Sequence, residues 1–436
     1  MMNHYYDELL EYMSNLPIID SHEHLPDFET KRNQDADVLS EYFSLYINDD
    51  LRSAGMSQEQ YSYVCDSTQP LMARWDVLEP YWKLTSNTGY ARVLRISARD
   101  IYGIDRIDRD TIIALNEAFC AAKKPGHFHR VLKEMCHIEY GVLDNVLDYN
   151  NVDVDFSYCR NAYRVNAFFK PYITNLIDAA EKYVGRRINT FDDLLVVLEA
   201  TVDKALKEGA VAFKIGLAGD RWLHFSEVPK QTAEDYFNRV FRKEVSAEDS
   251  LAFSALCDPA CCPQLIAYQD FMVHYFMQLA NDRGAVVQFH TGMSGGHSCI
   301  ISNTDPSRLS NLFIKYPNVK FDLFHLGYPY QNVMSALGKM FSNVYLNMCW
   351  AHAISPDACV AALNDWLDSV PVNKIIAFGG DFTHVDGVYG HLVLAKMNVS
   401  ETLARKVEKG VYTMEEAKWI AKRLFYENPK ELYEGK

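Results

Sequence analysis

The chain has 436 residues, 48% hydrophobic and 23% charged, and its 43 basic and 58 acidic side chains leave a formal charge of −15. Such a composition is that of an ordinary globular protein. The acidic balance argues against the basic face that nucleic acid or an anionic membrane surface would require.

The segment from Met1 to Glu8 has no basic region leading into an apolar one, so no signal peptide is expected. No apolar stretch is long enough to predict a membrane span. The ten cysteines are scattered, and Cys257, Cys261 and Cys262 share a proline-bearing loop without a second pair to complete a metal set. They read as free thiols of a reducing cytoplasm, the expected location.

In chain order, the first apolar run, Pro17-Ile18-Ile19-Asp20, ends in Ser21-His22-Glu23-His24. Alternate side chains of a strand share a face, so His22 and His24 project together from its C-terminal end. From about 36 to 125 the texture is helical. Asp37 to Phe43, Trp75 to Leu84 and Ala91 to Ile101 carry apolar residues three and four apart. This is too long for a barrel loop and predicts an insertion, about 28–130, covering the C-terminal face. Short apolar runs then alternate with amphipathic helices. The predicted strands are His137 to Asp144, Val165 to Lys170, Ala210 to Ile215, Ala285 to His290, Val319 to His325, Asn343 to Met348 and Lys374 to Phe378. With the first run these make eight, and eight such alternations predict a parallel (β/α)8 (TIM) barrel in the α/β class, a single domain over 1–436. A final helix from Thr413 to Leu432 should stop near Pro429.

Barrel chemistry sits at the C-terminal ends of strands. Strand one ends at His22 and His24, strand five at His290, strand six at His325 and strand eight at Asp381, while strand four carries Lys214 inside an apolar run. Each residue alone has a mundane explanation: a satisfied core histidine, a helix cap at Asp381, a solubilising lysine. Together at one face they predict a metal site. His127-Phe128-His129 is a decoy, because it lacks an upstream strand and helical residues two apart diverge by about 200°. His297, His352 and His384 lie near strand ends as further possible contacts.

This ordered set, His22-x-His24, His290, His325 and Asp381, resembles the amidohydrolase superfamily over essentially the whole chain. The insertion resembles that of the uronate-isomerase-like branch. Phe213-Lys214-Ile215-Gly216-Leu217-Ala218 is more similar to amidohydrolase-related domains, some of them fused to glutamine synthetase. The resemblance implies His22, His24 and Asp381 as metal ligands, with His290 a ligand in several subgroups. It implies His325 as a second-metal ligand or a substrate-polarising group. It also implies Lys214 as a bridging carboxylated lysine or a substrate contact.

Three or fewer imidazoles and a carboxylate leave coordination positions open, as catalytic sites do. One or two divalent ions are expected, with zinc foremost. Water activation with Asp381 as proton carrier and His325 as carbonyl polariser would cleave an amide, ester or lactone of a small polar substrate. Hydrolysis is therefore the leading expectation. The alternatives are a uronate-isomerase-like sugar-acid isomerase and a metal-dependent decarboxylase, and a barrel that only binds is the non-enzymatic one. The isomerase and decarboxylase need a cation for the substrate carboxylate. Arg74, Arg160, Arg164 and Arg221 are the candidates, each of them expected first at a solvated surface position, and Arg221 is the one carried forward as a substrate contact. The partner is a small molecule, with no nucleic acid or membrane, and assembly into a homo-oligomer stays open.

Overall fold

A computed structural model describes residues 4–145, 152–243, 262–296 and 299–435. Cys257, Cys261 and His297 lie outside them. Eight parallel strands follow in chain order around one sheet: β1 Ile18–Glu23, β2 Ile138–Leu143, β3 Cys159–Arg164, β4 Ala212–Ile215, β5 Val286–Phe289, β6 Lys320–Leu323, β7 Val344–Asn347 and β8 Ile375–Ile376. Backbone bonds from Ser21 N to Phe378 O (3.2 Å) and from Asp381 N to His22 O (2.8 Å) join the end of β8 to β1, closing a TIM barrel.

Seven of the strands coincide with the expected runs. The third does not. Val165–Phe169 is a 3₁₀ turn, and the strand is the preceding Cys159–Arg164, whose Arg164 pairs in register with Lys214. The apolar residues of that turn, Val165 to Phe169, are all buried against the outer helices. Hydrophobicity marked burial there, not extension.

Between β1 and β2 stand six helices, from Val38–Tyr42 to Ile112–Ala121, and a π-type turn at His129–Met135. Good caps set several of them: Asp37 and Ser57 each form a reciprocal box with the third helical residue. Arg74, buried inside this layer, binds Asp37, so it is structural. At the opposite end of the barrel, Asn428–Glu434 inserts Leu432 and Tyr433 among the inward-facing Ile19, Tyr140, Ala212 and Ile376. Pro429 does not end that helix. It occupies the first turn, where proline's missing N–H is no loss. Among the described residues, no helix is long and apolar enough to cross a membrane.

Candidate metal centre

A cavity of about 450 Å³ opens at the C-terminal ends of the strands. His22, His24, Lys214, His290, His325 and Asp381 all line it, together with Arg164 and, from the insertion, Tyr46 and Asp49. Five strand ends thus deliver to one place the residues singled out from the sequence.

Each β1 imidazole has its far nitrogen tied. His22 Nδ1 lies 3.2 Å from Gln288 Oε1, and Gln288 commits its Nε2 to Ser21 O and Tyr433 Oη. His24 Nδ1 lies 2.8 Å from the carbonyl oxygen of Asp144. Both partners are acceptors, so both Nδ1 atoms carry the proton and both Nε2 atoms present lone pairs to the cavity. Asp381 Oδ1 sits 3.0 Å from His24 Nε2 and 3.8 Å from His22 Nε2. Tetrahedral ligands about 2.1 Å from a zinc ion stand about 3.4 Å apart, so this donor triad fits a divalent ion in type and spacing.

For His22 and Asp381 the electrostatics agree. Burial, reinforced by the Lys214 ammonium, holds His22 well below its ordinary pKa and therefore neutral, as a ligand must be. Burial opposes the charge on Asp381, but the His24 contact outweighs it and holds the carboxyl well below its usual range. His24 is raised in turn: burial works against its charge, and Asp381 prevails.

The remaining residues divide. His290 shares the cavity, but its Nδ1 faces His325 Nε2 at 3.1 Å, and its Nε2 faces Met293 O and Ser294 Oγ, each at 3.1 Å. Burial and Lys214 push it down to about 4. His325 Nδ1 lies 3.5 Å from Asp381 Oδ2 and 3.2 Å from Cys349 O. Lys214 Nζ stands 3.3 Å from His22 Nε2 and 4.1 Å above the Phe324 ring. Arg221 does not reach the cavity. It is fully buried behind β4, where Asp270 at 2.6 Å and the carbonyls of Trp222, His224 and Ile266 take its donors. His352 bonds Ala377 O and Asn398, away from the cavity, and His127 bonds Asp386 at 2.9 Å.

Two residues that the strand ends did not yield are central. Asp144, just after β2, lies within ligand distance of both β1 histidines, at 3.7 Å from His22 Nε2. Arg164, at the end of β3, grips Asp144 through Nε (2.9 Å) and Nη2 and lines the cavity. Asp144 closes an expected strand and could have been found by applying the strand-end test there. Arg164 was among the candidate carboxylate anchors, but placing the third strand after it put it at a solvated position rather than at a strand end. A second set, His325, Cys349 and Asp381, also has donor atoms close enough to share an ion.

The backbone is strained at the same rim. Six described non-glycine residues have positive φ, and four of them, His325, Leu326, Trp350 and Asp381, follow β6, β7 and β8. Such conformations persist where surrounding packing over-determines them, typically at functional sites. Tight packing is visible at Gly380, where a Cβ would fall 1.8 Å from Glu23 Oε1.

Residues 262–435 match the amidohydrolase family model. That amidohydrolase match spans β5 to β8 and includes His290, His325 and Asp381. A 155-residue stretch is 29% identical to the protein fluG of Emericella nidulans, covering 34% of this chain and 17% of that protein's length. In fold, the chain is similar to a uronate isomerase from Thermotoga maritima, with TM-score 0.80 and 16% identity over 99% of this chain and 98% of that one. A glucuronate isomerase from Caulobacter crescentus gives TM-score 0.77 and 18% identity over 99% and 94% of the respective chains. The barrel fold, insertion included, is therefore shared from end to end with these two structures.

Proposed function

We propose that this protein is a divalent-metal-dependent enzyme that isomerises a small sugar acid, as its isomerase neighbours are named for doing. The observation that carries this reading is Arg164. A guanidinium and the Lys214 ammonium line the same cavity as the ligand triad, which suits an anionic substrate. His22, His24 and Asp381 would hold the ion, which supplies Lewis-acid polarisation of a substrate oxygen when bound.

The chain's own residues divide the rest of the work. Arg164, its plane fixed by Asp144, receives the substrate carboxylate. Asp381 turns Oδ1 toward the histidine pair and Oδ2 toward His325. Oδ2 accepts the proton from the hydroxyl-bearing carbon beside the carbonyl and returns it to the former carbonyl carbon, the proton of that hydroxyl passes to the former carbonyl oxygen, and neutral His325 stabilises the oxygen on which charge develops.

Hydrolysis is the second reading, favoured by the family description of the 262–435 match and by the same Asp381–His325 pair, which could carry a proton from water to a leaving group. The test is a metal count on protein purified without chelator, followed by assays with D-glucuronate and D-galacturonate against N-acyl amino acids and lactones. Ketose formation supports the isomerase, and cleavage without it overturns that reading in favour of hydrolysis. Two ions per chain, dependent on bicarbonate, would support a carboxylated Lys214.

A further inference from the structure

Four lysines are buried among the described residues: Lys214, Lys374, Lys396 and Lys406. Three of them have their charge answered. Lys214 stands over the Phe324 ring, Lys374 donates to Gly338 O at 2.6 Å, and Lys406 pairs with Asp368 at 2.6 Å. The fourth, Lys396 on the helix Val385–Glu408, differs. Its ammonium makes no hydrogen bond, ion pair or ring contact with any described residue. A buried charge left so is costly. Yet Lys396 is not sealed in. It is 6% exposed, Nζ is not among the fully enclosed polar atoms, and the side chain lines a cavity of about 370 Å³.

This cavity has no wall residue in common with the metal centre. Ser14, which leads into β1, and Met135, which leads into β2, place it toward the N-terminal ends of the strands. The metal-site residues stand at the opposite ends, so a ligand here is not the substrate.

The remaining polar groups of the wall are already taken up. Arg99 donates to Asp100 through Nε at 2.6 Å and Nη2 at 3.1 Å, and Tyr389 Oη donates to the same carboxylate at 3.1 Å. Ser14 gives its hydroxyl proton to Leu10 O at 2.8 Å. Cys136 is the single group whose charge bears on Lys396, and burial pushes that thiol up to about 12, so it stays neutral. Burial pushes Lys396 itself down to about 8. One uncompensated cation is left, and it suits one negative charge. The rest of the wall is apolar: Leu10, Met135, Leu392, Val393 and Met397. A monoanion with an apolar body answers both features, and the volume is that of a small-ligand pocket. A phosphate dianion would find only part of its charge countered and would leave the apolar wall unused.

We propose that this cavity binds a small monocarboxylate with an apolar body, its carboxylate paired with Lys396 Nζ and its body against the apolar wall. The site is separate from the metal centre and does not depend on which reaction occurs there.

The experiment is calorimetric titration of the purified protein with benzoate, with neutral benzamide and with inorganic phosphate, in wild type and in Lys396→Met. That variant keeps the apolar stem and removes only a buried, unpaired charge, so it should fold at least as well. Benzoate should bind wild type about tenfold more tightly than benzamide or phosphate, and Lys396→Met should lose that preference. Benzoate binding unchanged in Lys396→Met would place it at Arg164 and Lys214 instead and overturn the site. Equal affinity for benzamide or phosphate, or no benzoate binding at all, would overturn it too. Benzoate soaked into wild-type crystals decides the matter without a variant: a carboxylate within hydrogen-bond distance of Lys396 Nζ keeps the site, and an empty cavity overturns it.

Discussion

Asp381 holds the two halves of the site together, one oxygen beside the β1 histidines and the other beside His325, on a left-handed backbone at φ 60°. Asp381→Asn keeps the shape and removes the charge. Metal content measured by elemental analysis should drop, and turnover should fall by about 10³-fold, the scale of a lost proton carrier. Arg164 offers a separate handle. Arg164→Lys keeps a cation near Asp144 but loses the two-nitrogen grip, so the KM for an acidic substrate should rise about tenfold while kcat changes less. Equal losses in both parameters would instead mark Arg164 as a support for Asp144 alone.

At the scale of elements, the helix Val385–Glu408 is tied to the insertion through one buried carboxylate. Asp386 accepts from Tyr42 at 3.0 Å and Tyr102 at 2.7 Å, and faces His127 at 2.9 Å. Burial alone would raise its pKa, but the His127 bond and its charge outweigh that and push it down to about 2. A carboxyl depressed in the folded state stabilises above its unfolded value near 3.8, and that stability disappears as pH falls from about 4 to about 2. The contribution is roughly 2 kcal/mol. Asp386→Asn should lower Tm at neutral pH and flatten the acid limb of a Tm-against-pH curve in that window. This junction also explains the decoy motif. His127 is buried to bind Asp386, whereas His129 is exposed beside Glu134, so the pair never shares a face.

Across the whole molecule, an ion held by His22, His24 and Asp381 would couple metal binding to folding, because the triad joins β1 to the loop after β8 where the barrel closes. Removing the ion with dipicolinate should abolish activity and lower Tm by several degrees. Zinc restored at about 1,000 times its Kd should return about 4 kcal/mol. A Tm indifferent to chelation would argue against an ion at His22, His24 and Asp381.

The strand count, the parallel barrel and the residues His22, His24, Lys214, His290, His325 and Asp381 were legible because strand burial writes itself as apolar runs and barrel geometry makes run ends coincide. What required tertiary structure was every residue whose role depends on a neighbour distant in sequence. Cys159–Arg164 reads as polar, yet it forms β3 because pairing with β2 and β4 satisfies its backbone. Arg221 reads like a substrate cation and is instead neutralised by Asp270, 49 residues away in sequence. Asp144 and Arg164 act only as a pair, and the cavity at Lys396 exists only where the helix His4–Ser14 packs against the helix Val385–Glu408. Local pattern determined the frame and the residues gathered at its strand ends. Packing between distant segments decided which charges were already paired and which donors faced the cavities.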